Sequence, residues 1–216
     1  MIDFPQTAAF GKRIPFAILK KQGLAPRFVE FIKSLVWAYK LNPDTVQLAA
    51  TEGIREIEVM DLTIKDKCSG ARSLAAVISA LDKIIPSPLI FRVFDEDGTP
   101  LKIAFNIKMS GGVPRGDSEV FRMFQSAVDA ELPKGLLNLE TFYKNFAAAV
   151  GSMTTTADES LRDLDARHYR REALKADIDE IDRKLAKEIR LDVKYRLMKD
   201  RQQLEKEMLK CQNSNT

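Results

Sequence analysis

Carboxylates near a lysine are the first place to look for chemistry in this chain. Asp95 and Asp97 stand in the run Asp95-Glu96-Asp97-Gly98, and Lys108 follows in Asn106-Ile107-Lys108. Two carboxylates on a divalent ion, with a lysine that positions or activates water, would give metal-dependent nuclease chemistry. Glu56, Glu58 and Asp61 form an alternative acidic set upstream. Both sets have a plainer reading. Asn106 stands where a ligating carboxylate is needed, and residues 95–98 have the composition of a turn. Lys102 and Lys108 suit the solvated face of an antiparallel sheet. No catalytic residue is therefore assigned. Asp95, Asp97 and Lys108 remain as a nuclease alternative, with Mg²⁺ its only cofactor.

Other catalytic arrangements find little support. Cys68 and Cys211 lie 143 positions apart, and His168 is the single histidine. A structural zinc site needs about four ligands, commonly in tight pairs. No metal site follows. A Ser-His or Cys-His mechanism would need His168 as its base, and His168 sits in a charged, helical tail. Residues 111–118 mimic the spacing of a phosphate-binding loop, but Asp117 stands where its lysine belongs. A loop is the plain reading, with Arg115 at its tip able to touch a phosphate or an acidic partner.

The elements that would hold these residues divide the chain in two. It has 216 residues, with 34 Lys plus Arg against 31 Asp plus Glu. A net charge of +3 does not argue for nucleic acid by itself. No apolar run approaches the roughly 18 residues of a membrane span. Two distant cysteines suit a reducing cytoplasm. Between 158 and 210, however, stand 14 acids and 15 bases, while every Gly and Pro lies at or before Gly151. That predicts an α+β domain over 1–151 and a helical arm over 152–216.

In the first part, 4–14 reads as extended and 27–40 as a helix burying Phe28, Phe31, Ile32, Leu35 and Tyr39. Trp37 falls on another side of that helix, so it is either core or a contact for a partner. Strands are predicted over 45–50 and 55–64, and a helix over 69–84 with Leu74, Val77, Ile78 and Leu81 inward. A hairpin follows, with strand 89–94, turn 95–98 and an alternating strand 102–109. Residues 120–125 read as a strand or short helix, and 138–150 as a helix. The sheet is expected to be mostly antiparallel.

In the arm, Thr156 and Glu159 have capping-box spacing. An apolar stripe runs through Leu174, Ile178, Ile181, Leu185 and Ile189. One helix of about 50 residues would be roughly 75 Å long. It must pair with another chain, coiled-coil fashion, or fold back as a hairpin. The charged face is solvated.

Several ordered segments together resemble a bacterial family of unknown function. They are Phe10-Gly11-Lys12-Arg13-Ile14-Pro15, Trp37-Ala38-Tyr39-Lys40-Leu41-Asn42-Pro43-Asp44-Thr45, Ile54-Arg55-Glu56-Ile57-Glu58-Val59, Leu81-Asp82-Lys83-Ile84-Ile85-Pro86 and the charged C-terminus. The resemblance implies a setting beside helicase and DNA-methyltransferase genes in restriction-like, phage-defence loci. It carries over no catalytic residue.

The resulting expectation is a cytoplasmic, non-catalytic accessory protein. It docks a larger helicase, nuclease or methyltransferase, or self-associates, through the arm and the Trp37 face. The alternatives are a divergent PD-(D/E)xK-like nuclease and a DNA- or RNA-binding protein.

Overall fold

The segment expected to be helical over 27–40 is mainly a strand. A computed structural model describes residues 2, 4–66, 71–108, 123–126, 132 and 135–213, with backbone alone for 71 and 72. Pro26 opens one helical turn, α2 (Pro26–Val29), and the chain then extends as β2 (Ile32–Leu41). Strand β2 pairs antiparallel with β3 (Ile57–Ile64). Ile32 opposes Ile64 and Ser34 opposes Thr63. Trp37 opposes Met60 and Tyr39 opposes Val59. Lys33 and Ala38 are thus extra residues, and each bulge breaks the two-residue alternation. Ile32 and Leu35 fall on one face with Trp37 against them, while Tyr39 meets Phe4 and Arg92 on the other. Intervals of three and four residues result, which is why a strand reads as a helix.

Ahead of this lie a short 3-10 turn at Gln6–Ala8, strand β1 (Ala9–Arg13) and helix α1 (Phe16–Lys21). Helix α1 has no counterpart among the sequence expectations. It starts directly after Pro15, whose fixed φ suits a helix start. The strand expected over 45–50 is a turn. Thr45 donates its backbone N–H to Asn42 Oδ1 at 3.0 Å and its hydroxyl to the Lys40 carbonyl at 2.6 Å. Ala49 alone forms a bridge, with Asn138.

The helix over 69–84 is observed as α3 (Ala71–Ile84), joining β3 to a parallel β4 (Leu89–Phe94). Strand β5 (Pro100–Phe105) and β6 (Phe124–Ser126) complete a six-stranded sheet in the order β1-β2-β3-β4-β5-β6. Every neighbour pair except β3 and β4 is antiparallel. The class is α+β, with a mostly antiparallel sheet. Leu74, Val77, Ile78 and Leu81 pack on one face of it, as their spacing predicts. Helix α4 (Leu139–Val150) supplies aromatic packing near β2, β5 and β6. Phe146 contacts Phe4 and Phe105, which stacks on Phe124 at 5.7 Å. Asn138 caps α4 by accepting the Thr141 N–H at 2.8 Å.

Two covered faces explain the continuous apolar run of β4. Its one charge, Arg92, forks onto Asp61 at 2.6 and 2.8 Å, and also donates to the Ile2 carbonyl at 2.9 Å. They also correct the expected solvated face of β5. Ala104 is as buried as Ile103 and Phe105, and Lys108 is buried too.

The chain is described as two compact units, Met1–Gly151 and Ser152–Thr216. In the second, α5 (Leu161–Lys187) and α6 (Leu191–Gln212) form a hairpin. The capping box is Ser160 with Asp163, four residues beyond the expected Thr156 and Glu159. Glu159 instead takes the Arg167 guanidinium at 2.8 Å. Arg167 also donates to the carbonyls of Thr154 and Cys211, tying the open end of the hairpin. Arg201 reaches across from α6 to Asp182 at 2.7 Å. The stripe breaks where three successive four-residue steps make it drift. Glu188 Oε1 accepts the N–H groups of Ile189 and Arg190 at 2.9 Å, and the chain reverses without Gly or Pro.

Candidate functional site

Strand β1 is one of the two edges of the sheet among the described residues, and all five of its residues are exposed. Its pairing shifts between Ala9 and Lys12, where Gly11 adopts φ +65°. Only glycine takes that conformation without strain, so Gly11 makes the bulge. Phe10 then lies over Trp37, with ring centroids 4.5 Å apart. Phe10 keeps 46% of its surface exposed. Lys12 sits opposite Trp37 in the β1–β2 register. The Lys40 ammonium stands 5.7 Å from the Trp37 ring, within cation–π range, while pairing with Glu56. The Trp37 indole N–H is spent on the Tyr39 carbonyl at 3.1 Å, so the open part of the half-buried ring and the exposed Phe10 over it are what remain for a ligand.

Beside Trp37, between the start of α1 and the sheet, lies a cleft of about 300 Å³. Ile14, Trp37 and Pro86 give it apolar surface, Lys12 and Arg13 are exposed, and Glu58 is buried. Lys12, Arg13, Lys20 and Lys21 form no ion pair among the described residues. The arrangement is an aromatic platform with an apolar slot and uncompensated cations, suited to a flat, anionic ligand.

Behind the slot stand three buried charged groups, Glu58, Asp82 and Lys108. Lys108 pairs with Asp82 at 3.6 Å and donates to the backbone carbonyls of Asp82 and Ile85. These carbonyls belong to the end of α3, so Lys108 caps that helix where a cation is favourable. It also fixes the turn through Ile85 and Pro86, which lines the cleft. Burial raises the Glu58 carboxyl above its ordinary value; the Ser87 hydrogen bond opposes this and the Glu56 charge adds to it. Burial likewise raises Asp82, against the pull of Lys108, and lowers the Lys108 ammonium, against that of Asp82.

The structure does not bring Asp95 and Asp97 to Lys108. Asp95 Oδ1 accepts the N–H groups of Asp97 and Thr99 at 3.0 and 2.7 Å, which is turn chemistry. Lys108 lies beyond the far end of β5, whose six residues span about 20 Å. The upstream acidic set also disperses. Glu56 pairs with Lys40 at 2.8 Å, Asp61 with Arg92 at 2.6 Å, and Glu58 stands in the cluster described above. Among the described residues no group of His, Cys, Asp or Glu is arranged to hold a metal. His168 and Cys211 are buried. Arg115 and the 111–118 loop lie outside the described residues. Of the arm residues, Leu174 and Ile178 are buried, Ile181 and Leu185 half-buried, and Ile189 exposed.

Sequence reasoning singles out Trp37 but misses Phe10, Lys12, Arg13, Lys20 and Lys21. A local count would find them: residues 1–40 hold seven Lys or Arg against two acids, Asp3 and Glu30. The whole-chain sum conceals this.

Sheet and helices together define an α+β protein. The chain belongs to the family described as "Domain of unknown function (DUF4391)", whose profile matches residues 2–208. No curated protein and no solved structure matches it. No helix among the described residues is long and apolar enough to cross a membrane.

Proposed function

We propose that this protein is a non-catalytic accessory subunit that engages single-stranded nucleic acid along β1. The observation that carries this is the Phe10–Trp37 pair, half open on an edge strand and flanked by uncompensated cations. Bases stack on aromatic rings regardless of sequence, and a cationic track holds the phosphates. An accessory role beside a helicase, nuclease or methyltransferase of a restriction-like or phage-defence system fits such an activity, because those enzymes expose or modify strands.

Trp37 is the single tryptophan, so its fluorescence reports on this site alone. Titration with oligo(dT) is expected to quench it, with affinity falling steeply as salt rises. Phe10→Ala should weaken binding by about 1–3 kcal/mol, and Lys12→Glu with Arg13→Glu should abolish the quench. Unchanged Trp37 emission at saturating oligonucleotide would refute the proposal.

A second reading is docking of the partner enzyme itself. It is supported by the open edge of β1, which can accept a strand from another protein. Self-association through the apolar stripe has less support, since Leu174 and Ile178 are already buried, although Ile189 stays exposed.

A further inference from the structure

The hairpin tip of the C-terminal unit is a separate, strongly polarised surface. Residues 183–199 carry seven Lys or Arg against two acids, Glu188 and Asp192, a net charge of +5. The rest of 158–210 is the reverse, with 12 acids against 8 bases. Lys187, Lys194, Arg196 and Lys199 make no ion pair among the described residues. Arg190 and Asp192 pair at 2.9 Å, but on open surface where such a pair contributes little and can yield to a phosphate. At the reversal, Ile189, Leu191 and Tyr195 are 88%, 82% and 75% exposed. Three bulky apolar side chains within seven residues of a turn, rimmed by charge, have the composition of an interaction site.

The geometry points to a duplex-binding tip, in which the cations of α5 and α6 straddle the phosphates and Ile189 and Leu191 press on the bases between them. Charge complementarity selects a polyanion. Aliphatic side chains ringed by Lys and Arg are the type that wedges against base steps of duplex nucleic acid. A bilayer suits the tip less well. A helix lying on a membrane buries one long apolar face, whereas here the three most exposed apolar groups of the arm lie at and just after the reversal, with Met198, Leu209 and Tyr169 less exposed along it, and the rest of the arm is acidic. The tip belongs to the Ser152–Thr216 unit and shares no residue with the β1 edge.

The test uses the full-length protein and a fluorescein-labelled 20-base-pair DNA duplex, read by anisotropy across a salt series. Lys187→Glu, Lys194→Glu, Arg196→Glu and Lys199→Glu combined should lower affinity by about 100-fold or more, and flatten the salt dependence by about 0.9 per lost phosphate contact. Ile189→Ser with Leu191→Ser should weaken binding roughly tenfold while leaving the salt slope in place. Circular dichroism is expected to show both variants as helical as the parent, since every changed side chain is at the surface or nearly so. The inference is overturned if the parent fails to bind the duplex, or if the fourfold variant binds it with parental affinity and slope. It is equally overturned if that variant loses only its sedimentation with phosphatidylserine vesicles.

Discussion

The β1 edge and the hairpin tip concentrate the same net charge by different means. Residues 1–40 and 183–199 each carry +5, against +3 for the whole chain. At the edge the cations surround aromatic faces, which stack flat groups. At the tip they surround aliphatic side chains on a tight turn, which wedge rather than stack. The supports differ as well. The edge rests on a two-faced sheet with charges sealed inside it, whereas the tip rests on two helices held by a modest stripe and ion pairs between α5 and α6. Damage to the sheet's buried charges should therefore fall on one surface and spare the other.

The largest such effect is expected at Arg92. Its guanidinium is buried, forked onto Asp61 and laid 4.9 Å over the Tyr39 ring. Arg92→Leu leaves Asp61 without its cation, and breaking a buried pair from one side costs about 3–5 kcal/mol. Denaturant unfolding followed at Trp37 should shift by that much. The helical signal of the arm should persist at denaturant concentrations where Trp37 has already unfolded. A single coincident transition at both probes would break the comparison, because the two units would then unfold as one.

Lys108 offers a sharper, somewhat smaller test. Lys108→Met removes a charged cap on α3 and strands Asp82, at a cost of about 3 kcal/mol. Because the turn it fixes also lines the cleft, affinity for oligo(dT) should fall along with stability. Duplex binding by the tip, at a temperature where the variant is folded, should not change. Equal loss at both surfaces would place Lys108 in something other than the β1 edge. Loss of a Mg²⁺-dependent cleavage activity would revive the nuclease reading that its burial argues against.

What is legible in the sequence follows from how locally each element is determined. Helix α3 has its four core residues at plain helical spacing, and β4 with its turn is bounded by Pro88 and Gly98. Both are readable. Strand β2 is not, because the bulges at Lys33 and Ala38 exist only in relation to β3. The partner strand sets them, and a periodicity count along one segment imitates a helix there. The arm is readable as helix from its Glu, Lys, Arg and Leu content. Its reversal at 188–190 is signalled only by the drift of the stripe, since neither Gly nor Pro marks it. The site suffers from summation: Trp37 stands out by its type, whereas the cations beside it vanish into a nearly neutral total. Lys108 misleads for a related reason. A lysine in an alternating segment reads as solvated, and only the tertiary placement of the α3 terminus gives it carbonyls to cap.

The smallest expected effect is also the one whose sign is least intuitive. Glu58 is held above its ordinary value by burial, and Ser87, Glu56, Lys40 and Lys108 are the groups that act on it. A carboxyl whose folded value is raised favours the folded state while protonated. Its contribution is fully present below the unfolded value near 4.5 and is lost as pH rises through the raised folded value. At neutral pH Glu58 is thus a liability to the fold, and Glu58→Gln should raise the melting temperature of the Met1–Gly151 unit. The difference should shrink as pH is lowered and vanish below about 4, where the parent carboxyl is neutral in both states. If the Glu58→Gln variant is instead less stable than the parent at pH 7, the Lys40 and Lys108 charges outweigh burial. If the substitution stabilises the fold but weakens oligo(dT) binding, Glu58 is retained for the ligand, and the liability belongs to the site rather than to the sheet.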